Sequence, residues 1–345
     1  MKYIGNKTRL LDFIYESITK ENLPLTGTFI DLFGGTGSVG RYFKDKGYKV
    51  ISNDLMTYSY VTQYVSIALN EMPTFSKLTP KGIFGVLDVL NKLQPKKGYV
   101  FDNFCPGGKD NRMYFSDSNG MKIDSIRDQI ESWKINNFIS NDEYLVLVNS
   151  LVDAADFVAN ISGTYGAYLK IWRSMALKNI CLEEPLISNN GHENKVYQMD
   201  ANELVKKIYG DIVYLDPPYN QRQYAPNFHV LETLTVWDKQ TLIGKTGQRD
   251  YYNKKSNYSL KGKANISFED LINNIKAKYI VLSYNNEGII PREHILKTLG
   301  SVGQIKEYTK EYRRFRTERN HAGRQYKDVD DKVYEHLYIV KKSSF

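Results

Sequence analysis

Val213-Tyr214-Leu215-Asp216-Pro217-Pro218-Tyr219 is the stretch that decides the fold. Ile212 to Leu215 read as a short buried strand. The two prolines must end it, because they fix φ and donate no ladder hydrogen bond. Asp216 is therefore expected at the carboxyl end of a strand, where open α/β sheets bind ligands. Asp216 and the Pro217 carbonyl offer two acceptors for the two hydrogens of an exocyclic amine. Tyr219 offers a face for a flat ring, worth roughly 1–3 kcal/mol per stacked base.

Upstream, Thr28 to Gly40 spell strand, glycine loop and helix. Gly34, Gly35 and Gly37 let the backbone turn tightly, and Gly40 permits close helix–strand packing. Gly35, Gly37 and Gly40 satisfy GxGxxG, which dinucleotide enzymes also carry. Asp31 lies inside the strand, ahead of the glycines. A second strand, Tyr48 to Asn53, ends in Asp54, 19 residues past Gly35, where such folds place a carboxylate against a ribose. Glycine loop plus acid point to an adenosine-type cofactor. The rhythm resumes at Lys195 to Asp200, a strand followed by a helix over 201–208; Asp200 either reaches a cofactor adenine or caps that helix. Tyr279 to Tyr284 form another strand, and 303–341 a two-stranded hairpin.

Between these parts, 56–195 interrupts the α/β rhythm by far more than a loop. Helical periods near 58–70, 82–93, 122–134, 141–159 and 165–178 predict an inserted, mainly helical region. Arg112, Tyr114, Phe115, Tyr165, Tyr168 and Lys170 are candidates there to face a substrate, although packing explains each one singly. The helical Phe228–Trp237 is expected to continue the catalytic wall, so the expected domains are 1–55 with 196–345, and 56–195.

The 345 residues carry a formal charge of +8, with 41% hydrophobic and 25% charged residues, those of an ordinary globular protein. Basic residues cluster. Residues 239–265 hold seven Lys/Arg against Asp250, with tyrosines between them, and predict a mobile loop that orders on phosphates. Residues 306–327 hold eight against three Glu. Arg222, Lys254, Lys255, Tyr258, Arg313, Arg314, Arg316 and Arg319 are the expected DNA contacts. Cys105 and Cys181 form no CxxC pair, which speaks against a disulfide framework and a structural zinc site. No apolar run nears the ~18 residues of a membrane helix, and the start lacks a signal-peptide core. A cytoplasmic protein without a membrane role is expected.

Taken together, Tyr3-x-Gly5-x-Lys7, Phe29–Gly40, Asn53-Asp54, Asp200, Asp216–Tyr219 and the arginine-rich tail after Tyr312 resemble the Dam-like, α-class adenine-N6 DNA methyltransferases, over nearly all of the chain except 56–195. The resemblance implies a Rossmann-like α/β methyltransferase fold, a mostly parallel sheet with a carboxyl-terminal antiparallel hairpin and an inserted target-recognition region. It implies that Tyr3, Lys7, Asp31, Phe33, Gly34, Gly35, Gly37, Asp54, Asp200 and Asp216 hold S-adenosylmethionine, leaving S-adenosylhomocysteine as product, without a metal. It further implies double-stranded DNA as partner, and a companion restriction endonuclease with which no stable complex is required. Asp216, Pro217 and Tyr219 would act on an adenine flipped from the duplex. The residues themselves leave open an N4-cytosine or RNA target, a dinucleotide oxidoreductase, and a DNA-binding protein without activity.

Overall fold

Every apolar run marked above becomes a strand of one sheet. The computed structural model describes residues 7–313 and 332–343. Its seven strands are β1 (Thr28–Asp31), β2 (Lys49–Asn53), β3 (Lys195–Tyr197), β4 (Gly210–Leu215), β5 (Ala277–Asn285), β6 (Gly303–Arg313) and β7 (Lys332–Lys342). They stand in the order β3-β2-β1-β4-β5-β7-β6. The first five are parallel, and β7 runs antiparallel to both neighbours. The chain builds outward from β1 to β3, then crosses back to lay β4 on the other side of β1, pairing Asp31 with Tyr214. That reversal leaves a crevice at the carboxyl ends of β1 and β4, the place where open α/β sheets bind ligands. Sequence puts the glycine loop after one of these ends and Asp216 after the other.

Both faces of the central strands are covered, which is why they read as unbroken apolar runs. Ile30, Val213 and Leu215 join a core with Leu204, Leu271 and Ile295 from the helices Ala201–Val205, Lys261–Asn274 and Arg292–Gly300. On the other face Phe29 stacks on Phe43 of the helix Ser38–Asp45, with ring centroids 3.7 Å apart and 9° between planes. The helix Leu11–Lys20 adds its buried Ile14 and Ile18 to this part of the chain.

The chain divides into two compact units. Among the described residues, the sheet belongs to the unit of residues 7–55, 190–224, 255–313 and 332–343; the other takes 56–189 and 225–254. This second unit is helical, with Thr57–Gln63, Gly82–Lys92, Tyr99–Phe104, Asp117–Ile135, Asn141–Phe157 and His229–Val236. Its long helices start on side-chain caps, Ser116 for one and a reciprocal Ser140–Glu143 capping box for the other.

Three expectations about extents are corrected. The stretch 165–178 is no helix beyond a short turn at Ser174–Leu177, because Asn160 captures its backbone, accepting from Arg173 N–H and donating to the Leu169 carbonyl. Residues 225–254 pack with the helical unit rather than with the catalytic part. Glu232, 2% exposed, accepts both backbone N–H groups at the start of Thr57–Gln63, and Arg127 donates to the Leu234 carbonyl at 2.8 Å. The basic loop is shorter than expected: residues from Lys261 belong to a helix anchored by Ala264, Phe268 and Leu271. Upstream of it, Arg112 donates to the Gly244 and Lys245 carbonyls and Arg249 pairs with Asp238 at 2.8 Å. Among the described residues no helix is long and apolar enough to cross a membrane.

Candidate active site

The turn out of β1 depends on Gly35 and Gly37, whose φ values of 53° and 74° lie in the left-handed region that penalises a Cβ. Gly34 N–H donates to the Asn53 carbonyl at 2.8 Å, and Gly35 N–H to the Asp54 carboxylate at 2.9 Å. The half-buried Asp54 thus shapes the glycine loop, a task the ribose expectation did not include. Asp31 closes β1 with 1% exposure. One of its oxygens accepts Gly40 N–H at 3.2 Å; the other, Oδ1, is buried without a hydrogen-bond partner among the described residues. Burial, with Asp216 and then Asp54 nearby and only partial relief from backbone N–H groups, pushes the Asp31 carboxyl up to about 8.

Across the crevice Asp216 follows β4 as expected, with its side chain 15% exposed. Lys7 Nζ stands 3.2 Å from Asp216 Oδ1 and 2.5 Å from Glu335 Oε1. The first contact is an ion pair by distance, yet Oδ1 has no aligned hydrogen bond, and neither has Glu335 Oε2, among the described residues. Burial pushes the Asp216 carboxyl up to about 7; Lys7 opposes that rise and Glu335 adds to it. Burial also works against the Lys7 charge. The carboxylates of Asp216 and Glu335 outweigh it and hold the ammonium well above its ordinary range. Lys7 thus meets two acids, Asp216 and Glu335, while Asp31 lies within electrostatic reach of Asp216 and Asp54; acids outnumber the cation, an arrangement that favours a cationic occupant.

Tyr219 is half-buried, and its carbonyl accepts Ile289 N–H at 2.9 Å, which ties the turn after the prolines to the segment after β5. Phe33 lies beyond β1, half-buried and edge-on to Tyr258 at 5.2 Å between centroids.

The remaining expectations scatter. Asp200 is a helix cap, its carboxylate accepting from Asn202 and Glu203 N–H groups. Tyr258 is not at the surface: it is 3% exposed and its hydroxyl donates to Asn202 at 2.8 Å, so its ring fills core instead of meeting DNA. Arg222 and Lys255 are exposed, while Lys254, in the helical unit, lies 4.0 Å from Glu232. Arg313 ends β6. Tyr3, Arg314, Arg316 and Arg319 lie outside the described residues. In the helical unit Arg112, Tyr114, Phe115 and Tyr165 are buried and serve packing. Glu335 went unmarked. Its signal was an acid in step with the core-facing Leu337 and Ile339, two and four residues on in a strand of period two.

With this geometry in view, comparison with known proteins is informative. The model of the D12 class N6 adenine-specific DNA methyltransferase family matches residues 3–298. The chain is 40% identical over 351 residues to "Modification methylase StsI" of Streptococcus sanguinis, covering 100% of this chain and 52% of that protein. It is 38% identical to "Type II methyltransferase M.FokI" of Planomicrobium okeanokoites, covering 99% and 53%. The chain thus spans about half the length of these two relatives. "Type II methyltransferase M.NlaIII" of Neisseria lactamica is 40% identical and is covered completely, with 99% of this chain aligned.

Proposed function

The chain belongs to the D12 class of N6 adenine-specific DNA methyltransferases, and from that premise we propose that it methylates N6 of an adenine flipped out of double-stranded DNA. The observation that carries the reading is Asp216-Pro217-Pro218-Tyr219 at the end of β4, facing the acid-lined glycine loop across the sheet's crossover point.

The residues suit S-adenosylmethionine, which when bound supplies a methyl group activated by a positively charged sulfur. Buried Asp31 Oδ1, and two acids, Asp216 and Glu335, against the single Lys7, match a cationic ligand. The Gly34–Gly37 loop would admit its backbone-contacting parts, Asp54 its ribose, and Phe33 a flat ring. Lys7 stays with Asp216. On the substrate side, the Asp216 carboxylate and the Pro217 carbonyl accept the two N6 hydrogens, drawing the nitrogen lone pair out of the ring and toward the methyl group. Tyr219 stacks on the flipped base. These contacts would orient N6 for in-line attack on that methyl group, and Asp216 would take up the surplus N6 proton once the methyl group is transferred.

Because one of these relatives is named a modification methylase and the other two Type II methyltransferases, we infer that the chain marks one DNA sequence and protects it from a companion endonuclease inside the cell. Reading of that sequence falls to the helical unit. The test is expression in a methylation-free host followed by sequencing of modified bases. N6-methyladenine at a single sequence, lost in Asp216→Ala, is expected. N4-methylcytosine, or unchanged marking by Asp216→Ala, would overturn the proposal.

A further inference from the structure

Glu335 has no task in the reaction just described, yet it is the acid most tightly engaged in the site. It is 1% exposed and sits on β7 opposite Asn285 of β5. Its Oε1 takes two donors at once, the Lys7 ammonium at 2.5 Å and the hydroxyl of the fully buried Ser283. The same ammonium faces Asp216 Oδ1 from 3.2 Å without an aligned hydrogen bond. Ser283, which donates to Glu335, and Glu335 itself are held by paired strands, so the point to which the carboxylate draws the ammonium is set by the sheet. Resting on the adenine-methyltransferase reading, we propose that Glu335 is a positioning residue that holds the Lys7 ammonium beside Asp216 without letting it occupy that carboxylate's acceptor lone pairs.

The need for such a residue follows from two opposing demands on Asp216. Without a nearby cation a buried carboxylate takes up a proton and accepts more weakly. A lysine bonded squarely to it would instead compete with the substrate amine for the same oxygens. Glu335 resolves this by drawing the ammonium toward itself. The charged and titratable groups facing this cluster are Lys7, Tyr214 on β4, Tyr219 after it, Asp31 and Asp54 at the ends of β1 and β2, and Tyr284 and Glu287 on and beyond β5. In Glu335→Gln the ammonium would close on Asp216, and one negative charge would be gone. Asp216 would then ionise at lower pH while accepting more weakly.

The test is steady-state methylation of duplex DNA by the full chain, with kcat measured across pH and folding checked by melting temperature and S-adenosylhomocysteine binding. Glu335→Gln should lower kcat about tenfold, and the acid limb of its pH profile should move down by about one unit. In a Lys7→Met background the same change should add less than about twofold, since it acts through the lysine. Glu335→Asp, which keeps the charge but draws it back from Lys7 and Asp216, should move the limb in the same direction by less, and it decides the matter if Glu335→Gln does not fold. An unmoved limb in a folded variant, or an equal loss with and without Lys7, would overturn the proposal. Failure of the wild-type chain to methylate any DNA would instead remove the reading on which it rests.

Discussion

Replacing Asp31 by Asn tests whether the β1 carboxyl is held protonated by its surroundings. Asp31 is 1% exposed, and its carboxyl is pushed up to about 8 by burial first, then by Asp216 and Asp54. In the unfolded chain the same group titrates near 3.9. Between these values the folded state binds one proton more than the unfolded state, so its stability contribution is complete below pH ~4 and drains away as pH rises toward about 8. The slope is about 1.4 kcal/mol per pH unit. The amide introduced by Asp31→Asn does not titrate, and its oxygen can keep the bond from Gly40 N–H that Asp31 accepts at 3.2 Å. Relative to wild type, Asp31→Asn should therefore gain about 2.5 kcal/mol between pH 5.5 and 7.5. Urea unfolding of both proteins at pH 5.5, 6.5 and 7.5, without ligand, measures this difference. Stability curves that run parallel across the range would refute the raised pKa, and with it the claim that the site's acids repel one another until a cation arrives.

Other expectations concern the substrate side and the surface. Tyr219→Ala should bind S-adenosylhomocysteine normally while kcat drops by about 10- to 100-fold, the rate equivalent of one lost stacking contact; a matching loss of cofactor affinity would place the ring elsewhere. Arg222→Ala with Lys255→Ala should reduce the salt slope of DNA binding by about 2, and an unchanged slope would exclude both as phosphate contacts. Tyr258→Phe removes a buried hydroxyl bonded to Asn202 and to the Ser267 carbonyl. It should cost about 1 kcal/mol of stability and leave DNA affinity as it was; a drop in affinity alone would restore Tyr258 to the interface.

What was legible in the sequence, and what was not, divides along the range of the forces involved. The ends of β1, β2 and β4, the glycine loop and the turn after Asp216 are local matters: apolar runs choose strands, prolines stop them, and left-handed turns call for glycine. These local rules, together with the motif resemblance, were enough for the fold class, the family and the places of Asp31, Asp54 and Asp216 at the strand ends. The helical reading of 228–237 likewise announced a helix but could not say what covers it. Glu232 and Leu234 found their partners at Thr57 and Arg127, 175 and 107 residues away in the chain. Tyr258 misled because a tyrosine among lysines looks the same whether its ring meets DNA or fills a core. Most of all, the meeting of Lys7 with Glu335, 328 residues apart, exists only because β7 is laid beside β5. Sequence determined which acids end the strands. Tertiary structure decided that one of them, Asp216, shares its lysine with Glu335 from inside β7, because a buried charge is settled by whatever the folded sheet brings within reach.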